Sequence, residues 1–347
     1  MLITTFAVFL AVSTHPSIHA FKKPRDGSGA SRASRVELIT YHGWNQAYRI
    51  TNGIADVVVV PGIGRIMSYS LTGHPETDPI WNNPDEFGKS PSTRGEWSNF
   101  GGDKTWPNPQ SDWEKHMKVG GAWPPDPAFD SGPSKIARIP NGVRLTNPVS
   151  ANFNLQLTRD ITLRPGQSDV TITDTFYRPA SDPTNEARMP VGLWNVTQTR
   201  SDATVFLPLG KTGCAYFPLD GSGKAGQANW KASNGILTVT HSAIKSTKVG
   251  AFDSNGWLAA LYAGNIVFAE RFSCLRRGPY LDSGANAEVY TNPRPSYIEM
   301  ETLGPGSVIA PGRSITRTVT WTLKRLPKKP RSAAEARTVI SRSLAGH

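Results

Sequence analysis

Two neighbouring segments alternate between apolar and polar residues, and this pattern constrains the fold more than any other feature. Residues 155–163 carry leucine or isoleucine at positions 155, 157, 161 and 163, and residues 170–176 repeat the pattern with threonines at 171, 173 and 175. A period of two places alternate side chains on opposite faces of a strand. Because Pro165 and Gly166 lie between the two runs, the pattern predicts a β-hairpin.

Strand patterns recur along the rest of the chain. Residues 55–60 contain four consecutive valines, typical of a strand covered on both faces, and residues 315–323 alternate apolar residues with threonine. Further strands are expected near 189–200, 235–241, 257–262, 265–272 and 286–302. No segment of 36–323 repeats apolar residues at helical spacing, and 32 glycines and 28 prolines supply turns. The chain is therefore predicted to be all-β, a sandwich or a barrel.

The two ends differ from this body. Residues 2–13 form an apolar run too short to span a bilayer but typical of an export signal, with Ala20 as one candidate cleavage position. The chain is then expected to be secreted or periplasmic, with no membrane attachment after cleavage. The predicted order is a signal peptide at 1–20, a disordered basic lead-in at 21–35, a β domain at 36–325, and a linker with a C-terminal helix capped by Ser332 at 326–347.

The net charge of +11 lies mainly in these ends. Residues 21–35 contribute +4 and residues 324–347 contribute +6, which leaves +1 for residues 36–323. A nucleic-acid-binding domain concentrates positive charge on its folded surface. The charge distribution therefore argues against a nucleic-acid partner.

The cysteines and histidines predict no metal site. The two cysteines, Cys214 and Cys274, could form a disulfide in an oxidising compartment or remain buried thiols, and the sequence favours neither. The seven histidines are scattered, and no zinc-type spacing of Cys or His occurs. We expect no metal and no cofactor.

The segment from 76 to 133 lacks alternation and is rich in Trp, Pro, Gly and Asp, so we expect an irregular insertion. Sugars offer apolar C–H faces and a rim of hydroxyls, which suit aromatic platforms beside a few fixed polar groups. The expected platforms and polar groups are Trp106, Trp113, Trp123, Asp103, Lys104, Gln110 and Asp126. In the alternative, this segment is a structural plug over one end of the sandwich, with the tryptophans as its own core.

A second cluster of candidate residues lies at 297–303. On a strand, Tyr297, Glu299 and Glu301 share one face. Two carboxylates on one face, about 7 Å apart, repel each other, which raises the pKa of one toward the value of a general base. In the alternative, this is a solvated face whose carboxylates pair with arginines such as Arg294 or Arg317.

Several motifs together resemble the galactose mutarotase-like superfamily, specifically a branch with Gly-Gly-Asp-Lys-x-Trp-Pro and Trp-Pro-Pro-Asp-Pro loops. The resemblance covers about residues 36–323 and implies a β-supersandwich with a sugar-binding concave face. The matching segments are 61–66, 101–107, 123–127, 288–292, 297–305 and 310–314.

The resemblance also implies roles for individual residues. Met300-Glu301-Thr302-Leu303 is similar to the mutarotase strand that delivers the catalytic base, which selects Glu301 over Glu299. The strand that resembles the one carrying the mutarotase histidine, residues 191–198, has no histidine; its Trp194 and Asn195 are expected to contact the ligand. Lys104 or His116 would have to serve as the acid.

Two hypotheses of different class follow. In the first, the protein is an aldose 1-epimerase-like isomerase with Glu301 as general base. In the second, it is a non-catalytic glycan-binding or scaffold module, which the missing histidine favours. Both predict a carbohydrate partner.

Overall fold

The computed structural model describes residues 33–92, 96–117, 123–181, 188–210, 216–218, 229–251, 255–275 and 278–345. In this part of the chain, strands β1 to β21 form two sheets in which every pairing is antiparallel. The predicted all-β class with a short C-terminal helix is confirmed. The predicted signal peptide lies outside the described residues, as does Cys214, so the disulfide stays untested.

Sheet one has eleven strands. Its spatial order is β1 (Arg35–Tyr41), β2 (Trp44–Thr51), β3 (Ala55–Val60), β4 (Arg65–Leu71), β5 (Asp103–Asn108), β10 (Pro190–Arg200), β19 (Tyr297–Leu303), β18 (Ala287–Asn292), β15 (Thr247–Ala251) and β12 (Tyr216–Pro218), with β20 (Ser307–Val308) also on β10.

Sheet two has ten strands. Its order is β13 (Trp230–Ser233), β14 (Ile236–Thr240), β11 (Thr204–Pro208), β16 (Trp257–Leu261), β17 (Ile266–Phe272), β21 (Ser314–Arg325), β9 (Val170–Tyr177), β8 (Gln156–Leu163), β7 (Gly142–Val149) and β6 (Lys135–Ile139).

The main hydrophobic core lies between the two sheets. Val57 and Val59 of sheet one belong to the same buried cluster as Ile161, Ile172 and Val319 of sheet two. The predicted hairpin is β8 with β9. Its apolar residues are buried in this core or in a neighbouring cluster, while its threonines are only partly buried. Burial of one face thus fixes the strand register, since a shift by one residue would expose the apolar set.

Strand β5 was not predicted, because its tryptophan, proline and asparagine suggested a loop. All six of its residues are buried, and it pairs with β10 from Asp103 to Asn108. On its other side it meets β4 only at the pair Ile66–Asp103. Pro107 therefore breaks no second ladder, which explains how proline is tolerated inside a sheet.

Three α-helices complete the described part: α1 (Trp113–His116), α2 (Pro127–Asp130) and α3 (Ala333–Ala345). Helix α3 packs Ala336, Ile340 and Leu344 on the outer face of sheet two. Ser332 accepts a hydrogen bond from the backbone N–H of Glu335 at 3.2 Å, as the sequence predicted for its N-cap. None of the described helices is long and apolar enough to cross a bilayer.

Candidate functional site

One cleft of about 570 Å³ brings together aromatic and charged residues on the outer face of sheet one. Its aromatic members come from the 97–123 segment and from β5, β10, β18 and β19. The cleft is lined by Trp97, Trp106, Trp123, Trp194, Tyr290, Tyr297, Asn83, Asn99, Gln110, Asn292, Pro295, Glu86, Glu299, Glu301, Lys248 and Arg294.

Seven of the predicted site residues line this cleft: Trp106, Gln110, Trp123, Trp194, Tyr297, Glu299 and Glu301. Lys104 lies directly beneath it, fully buried, with its Nζ 3.4 Å from Glu299 Oε1 and 4.5 Å from the centroid of the Trp106 ring. The 99–127 segment and the glutamate strand, far apart in sequence, therefore form one site. Whether these residues bind a ligand stays a prediction.

Strand alternation decides which residues of the glycine-rich motif reach the cleft. On β5, Lys104 and Trp106 point to the cleft side, whereas Asp103 and Thr105 contact residues of sheet two. The two preceding residues, Gly101 and Gly102, let the chain pass close to neighbouring backbone, and both have positive φ. A Cβ at Gly101 would lie 2.3 Å from the carbonyl oxygen of Trp81, and one at Gly102 would lie 2.5 Å from the carbonyl oxygen of Ile66.

The predicted ligand contacts of Asp103 and Asn195 are corrected, because both side chains lie between the sheets. Asp103 forms a buried ion pair with Arg159 and accepts from Thr197 Oγ1 at 3.0 Å. Asn195 accepts from Arg317 at 2.7 Å and donates to Asp174. Buried charges need such partners, so these groups join the sheets instead of facing a ligand.

Three more candidates, Trp113, Asp126 and His116, lie outside the cleft lining. Trp113 is 2% exposed and packs against Trp106 with its Nε1 donating to Pro107 O at 2.8 Å, as the plug alternative predicted. Asp126 caps helix α2 by accepting from Ala128 N at 2.8 Å. His116 stacks on Phe153 with ring centroids 4.4 Å apart and does not line the cleft. Its position therefore does not support the predicted role of His116 as the acid.

Asp130, at the end of helix α2, fixes two of the cleft tryptophans. Its Oδ1 accepts from Trp106 Nε1 at 3.2 Å, and its Oδ2 accepts from Trp97 Nε1 at 3.2 Å. Arg65, fully buried, balances its charge at 2.8 Å. The Trp-Pro-Pro-Asp-Pro loop therefore acts through α2: its last Asp-Pro pair starts the helix that holds Asp130. We call Arg65 and Asp130 the tryptophan clamp.

The floor of the cleft consists of alternating lysines and glutamates. Lys248, on β15, lies 3.0 Å from Glu301 Oε2 and 2.8 Å from Glu288 Oε2. Trp194 Nε1 donates to the same Glu301 oxygen at 2.9 Å, and Lys248 also lies over the Trp194 ring, 4.6 Å from its centroid. Glu299 accepts from Lys104 and, at 3.0 Å, from Gln198 Nε2. Both carboxylates thus pair with lysines, not with the arginines of the alternative hypothesis.

Burial and the charges of neighbouring groups shift the pKa values of the lysines and glutamates that form this floor. Burial raises the pKa of Glu299, an effect that Lys104 opposes and Glu301 reinforces. Burial lowers the pKa of Lys104, against the attraction of Glu299. For Lys248, burial alone would lower the pKa, but Glu288 and Glu301 raise it above its ordinary value. Burial therefore favours the neutral forms of both Lys104 and Glu299, whereas the neighbouring carboxylates favour the charged form of Lys248.

Among the described residues, Glu301 Oε1 is buried without a hydrogen-bond partner. Glu301 as a whole is 1% exposed, so this oxygen is screened from solvent even though the residue lines the cleft. Unpaired buried carboxylate oxygens are costly, and a donor from a ligand would satisfy this one.

Sequence reasoning missed Lys248, Glu288, Tyr290, Trp97 and the tryptophan clamp. Alternation on β18 could have placed Glu288 and Tyr290 on one face, because they lie two residues apart. Lys248 could not have been found in this way, since only the pairing of β15 with β18 brings it to Glu288. In the described part of the chain, no group of three or more His, Cys, Asp or Glu side chains has the arrangement of a metal site.

Comparison with solved structures confirms the galactose mutarotase-like fold. The structure matches a galactose mutarotase-like protein from Lactobacillus casei with a TM-score of 0.53 and 8% identity over 80% of this chain and 100% of the other. It matches a galactose mutarotase related enzyme from Lactobacillus acidophilus with a TM-score of 0.52 and 10% identity over 80% and 97% of the two chains.

The chain also matches part of a longer protein, a TPR-domain containing protein from Parabacteroides distasonis. That match has a TM-score of 0.52 and 12% identity, and it covers 82% of this chain but 48% of the other. A comparison with curated proteins found no match. At these identities the solved structures show the fold alone.

The family to which the chain belongs is shown by its amino-acid sequence. Residues 46–324 match the family described as a domain of unknown function, DUF4380, which spans most of the β body. The chain therefore belongs to the DUF4380 family, built on a galactose mutarotase-like fold.

Proposed function

We propose that this protein is an exported carbohydrate-binding protein and that the cleft on sheet one is its sugar site. The observation that carries the proposal is the composition of that cleft: four tryptophans and two tyrosines around a floor of paired lysines and glutamates, in a volume of about 570 Å³. Such a volume is typical of small-molecule sites, and aromatic faces beside a few fixed polar groups match the two surfaces of a sugar ring.

The orientation of the tryptophans supports this proposal. The indole N–H groups of Trp97, Trp106 and Trp194 are held by Asp130 and Glu301. Their rings are thereby fixed before any ligand arrives, so that little side-chain entropy is lost on binding. Trp123 is 45% exposed and packs edge-on against Trp97, 4.9 Å between ring centroids, as expected for a platform at the rim.

A second candidate function is aldose 1-epimerase-like proton transfer at an anomeric centre. It is favoured by the two carboxylates on one face of β19, which have different surroundings. Glu301 keeps one oxygen without a partner and matches the mutarotase base by sequence. Burial raises the pKa of Glu299 although Lys104 beneath it opposes the shift, and a raised pKa favours a role as the acid. No histidine lines the cleft among the described residues.

Glycan-array screening of the purified protein, followed by calorimetry with the best glycan, tests the binding proposal. Trp106→Ala should weaken binding by about 1–3 kcal/mol through loss of a stacking surface. Trp321→Phe is the control, because Trp321 lies in the core between the sheets and should leave affinity unchanged. If no glycan binds, or if Trp106→Ala binds as tightly as the wild type, the proposal fails.

Magnetisation-exchange NMR on the anomers of a bound reducing sugar separates the two candidates. Epimerase-like chemistry predicts exchange above the buffer rate with wild-type protein, abolished in Glu301→Gln while binding is kept. Exchange at the buffer rate, despite confirmed binding, rejects proton transfer and leaves the binding module.

Export is proposed from residues 2–13 and is independent of the cleft. Cell fractionation and N-terminal sequencing test it: the mature protein should be found outside the cytoplasm, beginning near residue 21. Retention in the cytoplasm with Met1 in place would contradict it. A variant lacking residues 2–13 is the matched control and should stay inside.

A further inference from the structure

A second cavity lies where strand β17 ends beside β21. Strand β21 pairs with β9 from Ser314 to Trp321, but with β17 only from Val319 onward. Among the described residues, one side of 314–318 is therefore left without a neighbouring strand. A cavity of about 510 Å³ is found there, and it shares no lining residue with the sugar cleft.

The lining of this cavity has one cation and several hydroxyl groups. Its polar side chains are Arg317, Ser273, Ser307, Thr316 and Thr318, and no carboxylate is among the described lining residues. The hydroxyls of Thr316 and Thr318 already bond to threonines of β9 on the exposed face of the sheet, which leaves the two serines beside Arg317. Hydroxyls and guanidinium N–H groups are all able to donate hydrogen bonds. A cavity of this composition is complementary to a negatively charged ligand with several acceptor oxygens.

Arg317 is held rigidly but incompletely paired. It is 7% exposed, and its Nη1 donates to Asn195 Oδ1 at 2.7 Å and to Thr302 Oγ1 at 2.9 Å. Its Nη2 is buried and has no hydrogen-bond partner among the described residues. Gly304 makes room for the side chain, since a Cβ there would lie 2.9 Å from Arg317 Cδ.

No described carboxylate forms an ion pair with Arg317. Asp174, its neighbour across the sheet, is paired at 2.9 Å with Arg159, which also pairs with Asp103. Burial raises the pKa of Glu270 well above its ordinary value, which disfavours the charged form of this neighbouring carboxyl group. Burial also lowers the pKa of Arg317 to about 10, at which it is still charged at neutral pH. A buried charge without a partner is costly.

We propose that this cavity is a second ligand site, which binds a small oxyanion through Arg317 and the hydroxyls of Ser273 and Ser307. The ligand chemistry is that of a carboxylate or a phosphate, either free or as part of a larger molecule. Nη2 is the guanidinium nitrogen that lacks an acceptor, and the guanidinium fork suits both groups.

Calorimetric titration of the full chain with sodium phosphate and, separately, sodium acetate tests the site, with sodium chloride at matched ionic strength as reference. One-site, saturable binding of either anion is expected. Arg317→Lys keeps the charge but loses the fork, so it should bind roughly tenfold more weakly. Arg144→Lys, at an exposed arginine of the same sheet, should bind like the wild type. The stronger of the two anions identifies the preferred group.

Because Arg317→Lys could fail to fold, a second variant that keeps the buried arginine is also tested. Ser273→Ala with Ser307→Ala removes two donors at exposed and half-buried positions, and it should also weaken the anion while leaving the thermal unfolding of the anion-free protein unchanged. If Arg317 only balances Asp174 at a distance, neither anion binds saturably. That result, or equal affinity in the wild type and both variants, overturns the proposal.

Discussion

Asp130→Asn gives a large and specific test of the tryptophan clamp. The substitution keeps the shape of the side chain but removes the charge that pairs with Arg65, whose side chain is fully buried while that of Asp130 is 2% exposed. It also replaces one of the two oxygens that accept from Trp97 and Trp106 by a donor. Breaking a buried ion pair from one side costs about 3–5 kcal/mol, because the remaining charge is left uncompensated.

Urea unfolding followed by circular dichroism measures this cost. Asp160→Asn is the matched control, since Asp160 pairs with Arg144 at 2.6 Å on the surface, where the two side chains are 25% and 49% exposed. Exposed pairs contribute at most about 1 kcal/mol. We therefore expect the free energy of unfolding to fall several times further in Asp130→Asn. Equal losses in the two variants would refute the idea that a buried charge fixes the cleft tryptophans.

Three further outcomes are expected. Trp123→Ala should weaken glycan binding without lowering the free energy of unfolding, whereas Trp113→Ala, at a buried tryptophan outside the cleft lining, should cost about 3–5 kcal/mol in urea unfolding; equal stability of the two variants would contradict this. Burial raises the pKa of Glu288 well above its ordinary 4.5, so the folded protein keeps a proton that the unfolded chain releases, and stability falls as the pH rises above about 4.5. Glu288→Gln should flatten that fall in urea titrations between roughly pH 5 and 8, and parallel profiles would count against it. Thiol titration of the denatured, unreduced protein should find no free thiol if Cys214 and Cys274 are bonded, and two if they are not.

The hairpin at 155–176 shows what sequence reasoning captures well. There the alternation is regular and one face is buried, so strand bounds, register and exposed side could all be predicted. Strand β5 shows the limit: its pairing with β10 depends on a partner more than eighty residues away, and its own composition suggests a loop. Local pattern cannot reveal a strand whose stability comes from such a distant neighbour.

The candidate site was predicted in part for the same reason. Glu299, Glu301 and Trp106 could be named because motif and alternation mark them. The error over Asp103 came from assigning a whole motif to the ligand, when alternate residues of a strand face opposite sides. Lys248 sits in a short strand with no motif, and only the folded sheet places it against Glu301.

The claim that the cleft is a sugar site is tested most directly by following the indole N–H signals of the tryptophans by NMR during titration with the best glycan from the array. The signals of Trp106 and Trp123, assigned by substitution, should shift saturably, because both rings line the cleft. The signal of Trp321, buried between the sheets, should stay in place. Saturable binding that leaves Trp106 and Trp123 unshifted would contradict the account.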